Sequence, residues 1–497
     1  MSLVAHVDKV TFSAASVVGT TDSTGTTGSG FRPKAMIAWW NGAAGAGTVT
    51  TQGNIRRGVG FAKDASNRRC VMATEQDTAA QGEADRGVRD DCLIGVILPG
   101  TSDPSTLEGK VDINAMLDTG WESIIDDQLA VDLTVRYMAI GGDDIEQVAV
   151  GDFAAPLTAI DTVVSLGWMP DVVFLASVGG AVAMNGIGVD SVLGFGVATG
   201  TDADRQWTHC SWSDDGPATI DTWKYMRSGE CIAMANGATA INFRGVLASF
   251  DDDGFTINWP EVDGANQPPV IYLAMKGGRW KAGNFLTTTT LNEQIPVVSG
   301  NGKPKLLLAV SAGMAESAVD TPAATDEWSM GGAINPLTRQ DAYSRSVDNL
   351  AAAECRRATG EISFMKNFVN TTGQTTDERV DLAAINYDGF TAAMDLAGSG
   401  ANFIGYVVAA ADSDTVPAGK FDGEGRIYRG DPLRYYDAGN LENVGFLLSP
   451  GNATIGDTIS LMLVEKSGTT LVLTTVNSIP HGSQAGAPPY WRTTQGE

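Results

Sequence analysis

Three proline-led apolar runs recur along the chain at a near-constant step. "FRPKAMIAWW" carries Pro33, "WMPDVVFLAS" carries Pro170 and "GKPKLLLAVS" carries Pro304, about 135 residues apart. Further landmarks keep the same step. "LDTGW", "DDDGF" and "NYDGF" place Gly120, Gly254 and Gly389, and "RYMAIGG", "IYLAMKGG" and "GYVVAAAD" place Tyr137, Tyr272 and Tyr406. Each Tyr is followed by "VGDF", "AGNF" or "AGKF", ending in Phe153, Phe285 and Phe421, and each Pro-led run by "GVGFA", "GFGVA" or "MGGAI". Landmarks in one order at one period mark an internal repeat, and a repeat constrains the fold more than any local motif, because each copy must reach the same structure.

The repeat predicts residues 11–150, 151–282 and 283–418 as three tandem modules of about 135 residues. An N-terminal arm precedes them at 1–10. A C-terminal β-rich segment and tail follow at 419–497, opening like a fourth copy with "GKFDGEGRIYRG" but without the later landmarks.

Each module reads as an antiparallel β-sandwich of jelly-roll type with seven to nine strands. "AMIAWW", "VVFLAS" and "LLLAVS" are short, continuous apolar runs, the pattern of a strand covered on both faces. Proline at a strand entrance is tolerated because its missing N–H lies outside the ladder. "FTINW" alternates Phe255, Ile257 and Trp259 with Thr256 and Asn258, the period of a half-buried strand. Helical signals are weak: "MATEQDTAAQGEADRGVRDD" and "AYSRSVDNLAAAECRRATGE" read as edge loops or short helices. The composition agrees, with 59 Gly and 19% charged residues in 497, which suits an all-β chain of many turns.

The formal charge of −26 is spread along the chain and argues against a basic nucleic-acid groove or an anionic membrane surface as partner. No apolar run is long enough to span a bilayer, and "MSLVAHVDKVTF" lacks the pattern of a secretory leader, so synthesis in the cytoplasm without membrane insertion is expected. Cys70, Cys92, Cys210, Cys231 and Cys355 are too few and too scattered for a disulfide framework and read as reduced and buried. With no CxxC and only His6, His209 and His481 to complete a site, no zinc centre is expected.

Beyond the repeat, the skeleton of an opening Phe, "FRPKAMIAWW", a "GF" alternation and a final Tyr-led strand resembles the H-type lectin domain, a small β-sandwich that oligomerises and binds amino sugars. The family's terminal strand usually carries Trp where this chain has Tyr137, Tyr272 and Tyr406. "FRPKAMIAWWNG", "RRGVGFAKDASNRRCVMATEQD" and "RGVRDDCLIGVI" are similar to segments of uncharacterised proteins encoded by tailed bacteriophages near virion structural genes, which implies a virion component.

The candidate chemistry is sparse. "DDDGF" offers carboxylates for Ca²⁺, but its sisters share only the glycine, so a turn is expected, with Gly supplying an unusual φ and sending Trp121, Phe255 or Phe390 into the core. "GVGFA" resembles half a phosphate loop, yet no GK[ST] follows; a strand bend or bulge is expected. "RRC" at Arg68–Cys70 and "HC" at His209–Cys210 would activate a thiol only if left exposed to positive charge. No GxSxG, HExxH or paired-Glu constellation occurs, so no enzyme, cofactor or metal is expected. Exposed aromatics remain as contacts, with Trp40, Trp207 and Trp212 as candidates.

The sequence therefore predicts a non-enzymatic bacteriophage virion protein that decorates capsid or tail through contacts with other virion proteins in a symmetric assembly; its three modules can close into a pseudo-three-fold body, and the sequence leaves ring or row open. The alternative is a multivalent lectin-like adhesin, or receptor-binding protein, whose partner is a host-surface glycan.

Overall fold

The structure, a computed structural model, describes residues 3–411 except 23–28, 44–53, 77–82, 100–103, 105, 217–220, 237–239, 349–354 and 369–375, and beyond 411 four strands by their backbone. The described residues are all-β, with antiparallel pairing and a 3₁₀ turn at Ala203–Arg205. One compact unit runs from Met1 to Asp412, with Asn386–Asp388 counted apart from it. The residues from Ser413 onward belong to a second unit. There Arg434–Tyr435, Asn443–Leu448, Thr458–Ser467 and Thr470–Pro480 form a four-stranded sheet. Phe421 and the tail 481–497 lie outside the described residues.

In the first unit one arrangement occurs three times. A large sheet takes the order Val4–Phe12, Leu133–Gly141, Pro33–Trp40, Ile55–Ala62, Arg68–Glu75, Ala84–Arg89. A four-stranded sheet beside it takes Thr21–Asp22, Gly120–Asp127, Leu107–Leu117, Ile94–Ile97. The second pair of sheets begins at Gln147–Ala154 and the third at Arg279–Leu286. Two large sheets gain a further edge strand from the next repeat: Ile187–Val189 pairs with Ala84–Arg89, and Ala323–Ala324 with Thr222–Ser228.

The doubly apolar runs explain this layering. In Pro33–Trp40, Met36, Ala38 and Trp40 face the core shared with the small sheet, while Ala35, Ile37 and Trp39 face the other way. The same split divides Val173 and Leu175 from Phe174 and Ala176, and Leu307 and Ala309 from Leu306, Leu308 and Val310. The second faces of all three large sheets meet in one apolar core. Strands that bury both faces need the continuous apolar pattern seen in the sequence.

Each small core is keyed by the same edge-to-face aromatic pair. Trp121 meets Tyr137 at 4.2 Å and 81°, Phe255 meets Tyr272 at 5.6 Å and 79°, and Phe390 meets Tyr406 at 5.2 Å and 84°. These are the residue after each landmark glycine and each landmark tyrosine. Their quadrupoles favour the T-shaped contact.

Several expectations are corrected. Residues 4–10 are no arm: Val4–Phe12 pairs along its length with Leu133–Gly141. The boundaries at 150/151 and 282/283 fall inside Gln147–Ala154 and Arg279–Leu286, and pairing gives each whole strand to the following sheet. Phe153 and Phe285 therefore pack near the next repeat's tyrosine, Tyr272 or Tyr406, and not near the one they follow. The two supposed loop or helix segments contribute strands Arg68–Glu75, Ala84–Arg89, Thr338–Ser346 and Cys355–Gly360; pairing in a buried sheet overrides their weak local pattern.

The glycines act by absence of a side chain. Gly389 takes the expected positive φ, +147°, whereas Gly120 and Gly254 begin strands without one; a Cβ on Gly254 would strike the carbonyl oxygen of Val164, and one on Gly389 that of Val297. "GVGFA" and "GFGVA" are straight, unbulged strand, and "MGGAI" is regular up to a shift between Ala333 and Asn335. A Cβ on Gly60, Gly196 or Gly331 would collide with the carbonyl oxygen of Leu93, Cys231 or Phe364. In all three repeats that glycine lets the chain leading into the small sheet cross close over the large one.

Candidate functional site

The tryptophans named as contacts are interior. Trp40, Trp207 and Trp212 are fully buried. Trp40 fills the first small core, Trp207 donates its indole N–H to Tyr406 O at 2.8 Å across the seam between the second and third repeats, and Trp212 stacks on Trp223 at 5.6 Å. They sit in strands covered on both faces, so alternation hides one side chain as well as the next. Among the described residues only Trp168 and Trp223 are partly exposed.

Trp168 lines an open groove of about 460 Å³. One wall comes from the first repeat, with Arg32, Lys34 and Lys63; the other from the second, with Gln147, Val148 and Trp168. The walls are tied together: Lys34 Nζ donates to Ile145 O at 2.7 Å, and Arg69 Nε to Asp152 Oδ1 at 2.8 Å. Two carboxylates also line the groove, but both are engaged. Asp64 accepts from the backbone N–H groups of Ser66 and Asn67 at 2.8 and 2.9 Å, and Glu146 pairs with Lys276 at 3.4 Å. The sequence signal for the site was the Trp two residues before Pro170, where the sister repeats have Phe31 and Gly302.

A second polar cluster is sealed inside. Arg57, without solvent exposure, donates through Nη1 to Asp326 Oδ1 at 2.7 Å and through Nη2 to Asp326 Oδ2, to Glu75 Oε1 at 3.0 Å and to Ser191 Oγ at 3.0 Å. Ser191 in turn donates to Glu75 Oε1 at 3.0 Å. Three repeats thus meet on one guanidinium. Burial disfavours its charge, but Asp326 and then Glu75 outweigh burial and raise its pKa. Glu75 is pushed up to about 8, by burial first and then by the Asp326 carboxylate. Nearby, His209 Nε2 lies 3.0 Å from Glu327 O and burial holds its pKa down to about 4.

The other chemical candidates resolve as structure. Asp251 accepts hydrogen bonds from Ser249 Oγ and Thr256 Oγ1, both at 2.7 Å, and no group of three potential metal ligands occurs among the described residues. His481 lies outside them. His209 and Cys210 point to opposite faces of one strand, and burial pushes the Cys210 thiol up to about 12, away from activation. All five cysteines are free and buried; Cys70 and Cys92 lie 3.7 Å apart, and their contact, with burial, raises the Cys92 thiol. Arg68 and Arg69 beside Cys70 are bound to Asp112 and Asp152. No helix among the described residues is long and apolar enough to cross a membrane. No protein-family model and no curated protein matches the chain.

Proposed function

We propose that the chain is a non-enzymatic structural protein of a bacteriophage virion, seated on capsid or tail by contacts with neighbouring virion proteins. The observation that carries this reading is a thrice-repeated apolar edge. Each small sheet ends in a short edge strand, Thr21–Asp22, Thr162–Ser165 or Gln294–Val298. In or beside these strands Val17, Val18, Ile160, Val163, Leu291 and Val298 are each more than half exposed. An exposed strand edge with apolar side chains is a template for pairing with another chain.

Such edges on a body whose three large sheets share one core suit a position of three-fold or six-fold symmetry, and the resemblance of the first repeat to phage-encoded proteins points the same way. Burial of Trp40, Trp207 and Trp212 removes them as contacts for the virion and the adhesin readings alike. The test is mass spectrometry and antibody labelling of purified particles, followed by add-back of the protein to particles that lack it. Stoichiometric presence and saturable add-back, weakened by Val163→Asp with Val298→Asp, support the reading; absence from particles overturns it.

A further inference from the structure

We infer that the groove between the first and second repeats binds a sugar carrying an anionic group, a carboxylate or a phosphate, once per chain. This goes beyond a structural role and holds wherever the protein is seated.

The groove's volume of about 460 Å³ lies within the range of small-molecule sites. Its charge is distinctive in a chain of net charge −26. Arg32, Lys34 and Lys63 converge there against two carboxylates, Glu146, which pairs with Lys276, and Asp64, which accepts from Ser66 and Asn67 and feels the charge of Lys63, so the cations outnumber the acids by one. Arg32 is two-thirds exposed and only loosely paired, 3.9 Å from an exposed Asp118. Lys63 is exposed and acts on the neighbouring Asp64 only through its charge, without a hydrogen bond or close ion pair between them. What the groove offers is an aromatic face, unspent N–H donors and a surplus of positive charge. An aromatic face stacks on the C–H face of a sugar ring, and ammonium and guanidinium groups bind a carboxylate or phosphate.

Other ligands fit less well. A nucleic acid would bring a row of phosphates against an acidic body, whereas a sugar with one anionic group meets only the local cations. A purely apolar ligand would leave three cations desolvated at its rim. The walls are already joined by Lys34 and Arg69, so little ordering entropy opposes binding. Only the second repeat has an indole two residues before its landmark proline, which sets one site per chain and not three.

The test is calorimetric titration of the full-length protein at low salt with glucuronic acid, glucose 6-phosphate, methyl glucoside and inorganic phosphate. Expected is a dissociation constant of about millimolar for one or both acidic sugars, with methyl glucoside and inorganic phosphate each about tenfold weaker or worse. Which acidic sugar binds better distinguishes carboxylate from phosphate. Trp168→Ala should abolish binding, and Lys63→Gln, an exposed change that leaves thermal unfolding unaltered, should weaken it about tenfold. Three outcomes overturn the inference: equal binding of methyl glucoside, equal binding of inorganic phosphate, or acidic-sugar binding unaffected by Lys63→Gln. Failure of all four probes to bind the folded protein at ten-millimolar concentration overturns it as well. None of these outcomes bears on whether the protein is found in particles.

Discussion

Arg57 and Asp326 stand 269 residues apart in the chain and meet in a two-pronged, fully buried ion pair, Nη1 to Oδ1 at 2.7 Å. Arg57 lies in a strand of the first large sheet and Asp326 in one of the third, while Ser191, on the same guanidinium, comes from the second. A buried pair gains little over apolar packing, but removing one partner leaves the other stranded. Arg57→Ala should therefore cost about 3–5 kcal/mol, read as a lower urea midpoint. Loss of less than about 1 kcal/mol would mean that the pair does not hold the three sheets in register.

The acid beside that pair predicts a pH profile. Glu75 titrates at about 8 in the fold against 4.5 for a free glutamate. The stability this contributes is complete below 4.5 and is lost as pH rises through 8. Asp214, raised to about 7 by burial and then by Asp190 and Asp221, acts in the same direction. His209, lowered to about 4, acts oppositely, its contribution being present above 6.5 and lost as pH falls through 4. Stability of wild type to urea should weaken as pH rises from 6.5, where the opposing contribution of His209 is complete, to about 8, and level off above that. Glu75→Gln, which preserves shape and keeps a hydrogen-bond donor, should flatten most of that slope; an unchanged slope would place the titration elsewhere.

Gly60, Gly196 and Gly331 should each resist even alanine. The added methyl meets a backbone carbonyl that cannot move without shifting a strand, so about 1–3 kcal/mol or more is expected. Gly400→Ala, where nothing lies within 4 Å, serves as the control and should stay within about 0.5 kcal/mol. Equal effects at Gly60 and Gly400 would contradict the close crossing.

Thiol chemistry offers an inexpensive check on packing. All five cysteines are buried, so a water-soluble aromatic disulfide reagent should titrate well under one thiol in the native protein and five after denaturation. A fast-reacting thiol under native conditions would contradict the packed cores.

The three-fold repetition was legible because it is written in covalent order: proline, glycine and tyrosine landmarks at one spacing, and apolar runs whose length marks strands covered twice. Even the pairing of Trp121 with Tyr137, repeated by Phe255 with Tyr272 and by Phe390 with Tyr406, followed landmarks visible beforehand. Strand ownership was not legible. Val4–Phe12 and Gln147–Ala154 carry no local mark of the sheet they join, since pairing depends on which edge is free in space. Nor could composition tell a buried Trp40 from a half-exposed Trp168. Trp40 vanishes because a second sheet covers its face, and Trp168 surfaces because a seam between repeats opens beside it. Local pattern selects strands and turns, which depend on neighbours in the chain. Burial, charge pairing such as Arg57 with Asp326, and the groove of Lys63 and Trp168 arise between residues far apart in sequence, and only the folded arrangement brings them within reach.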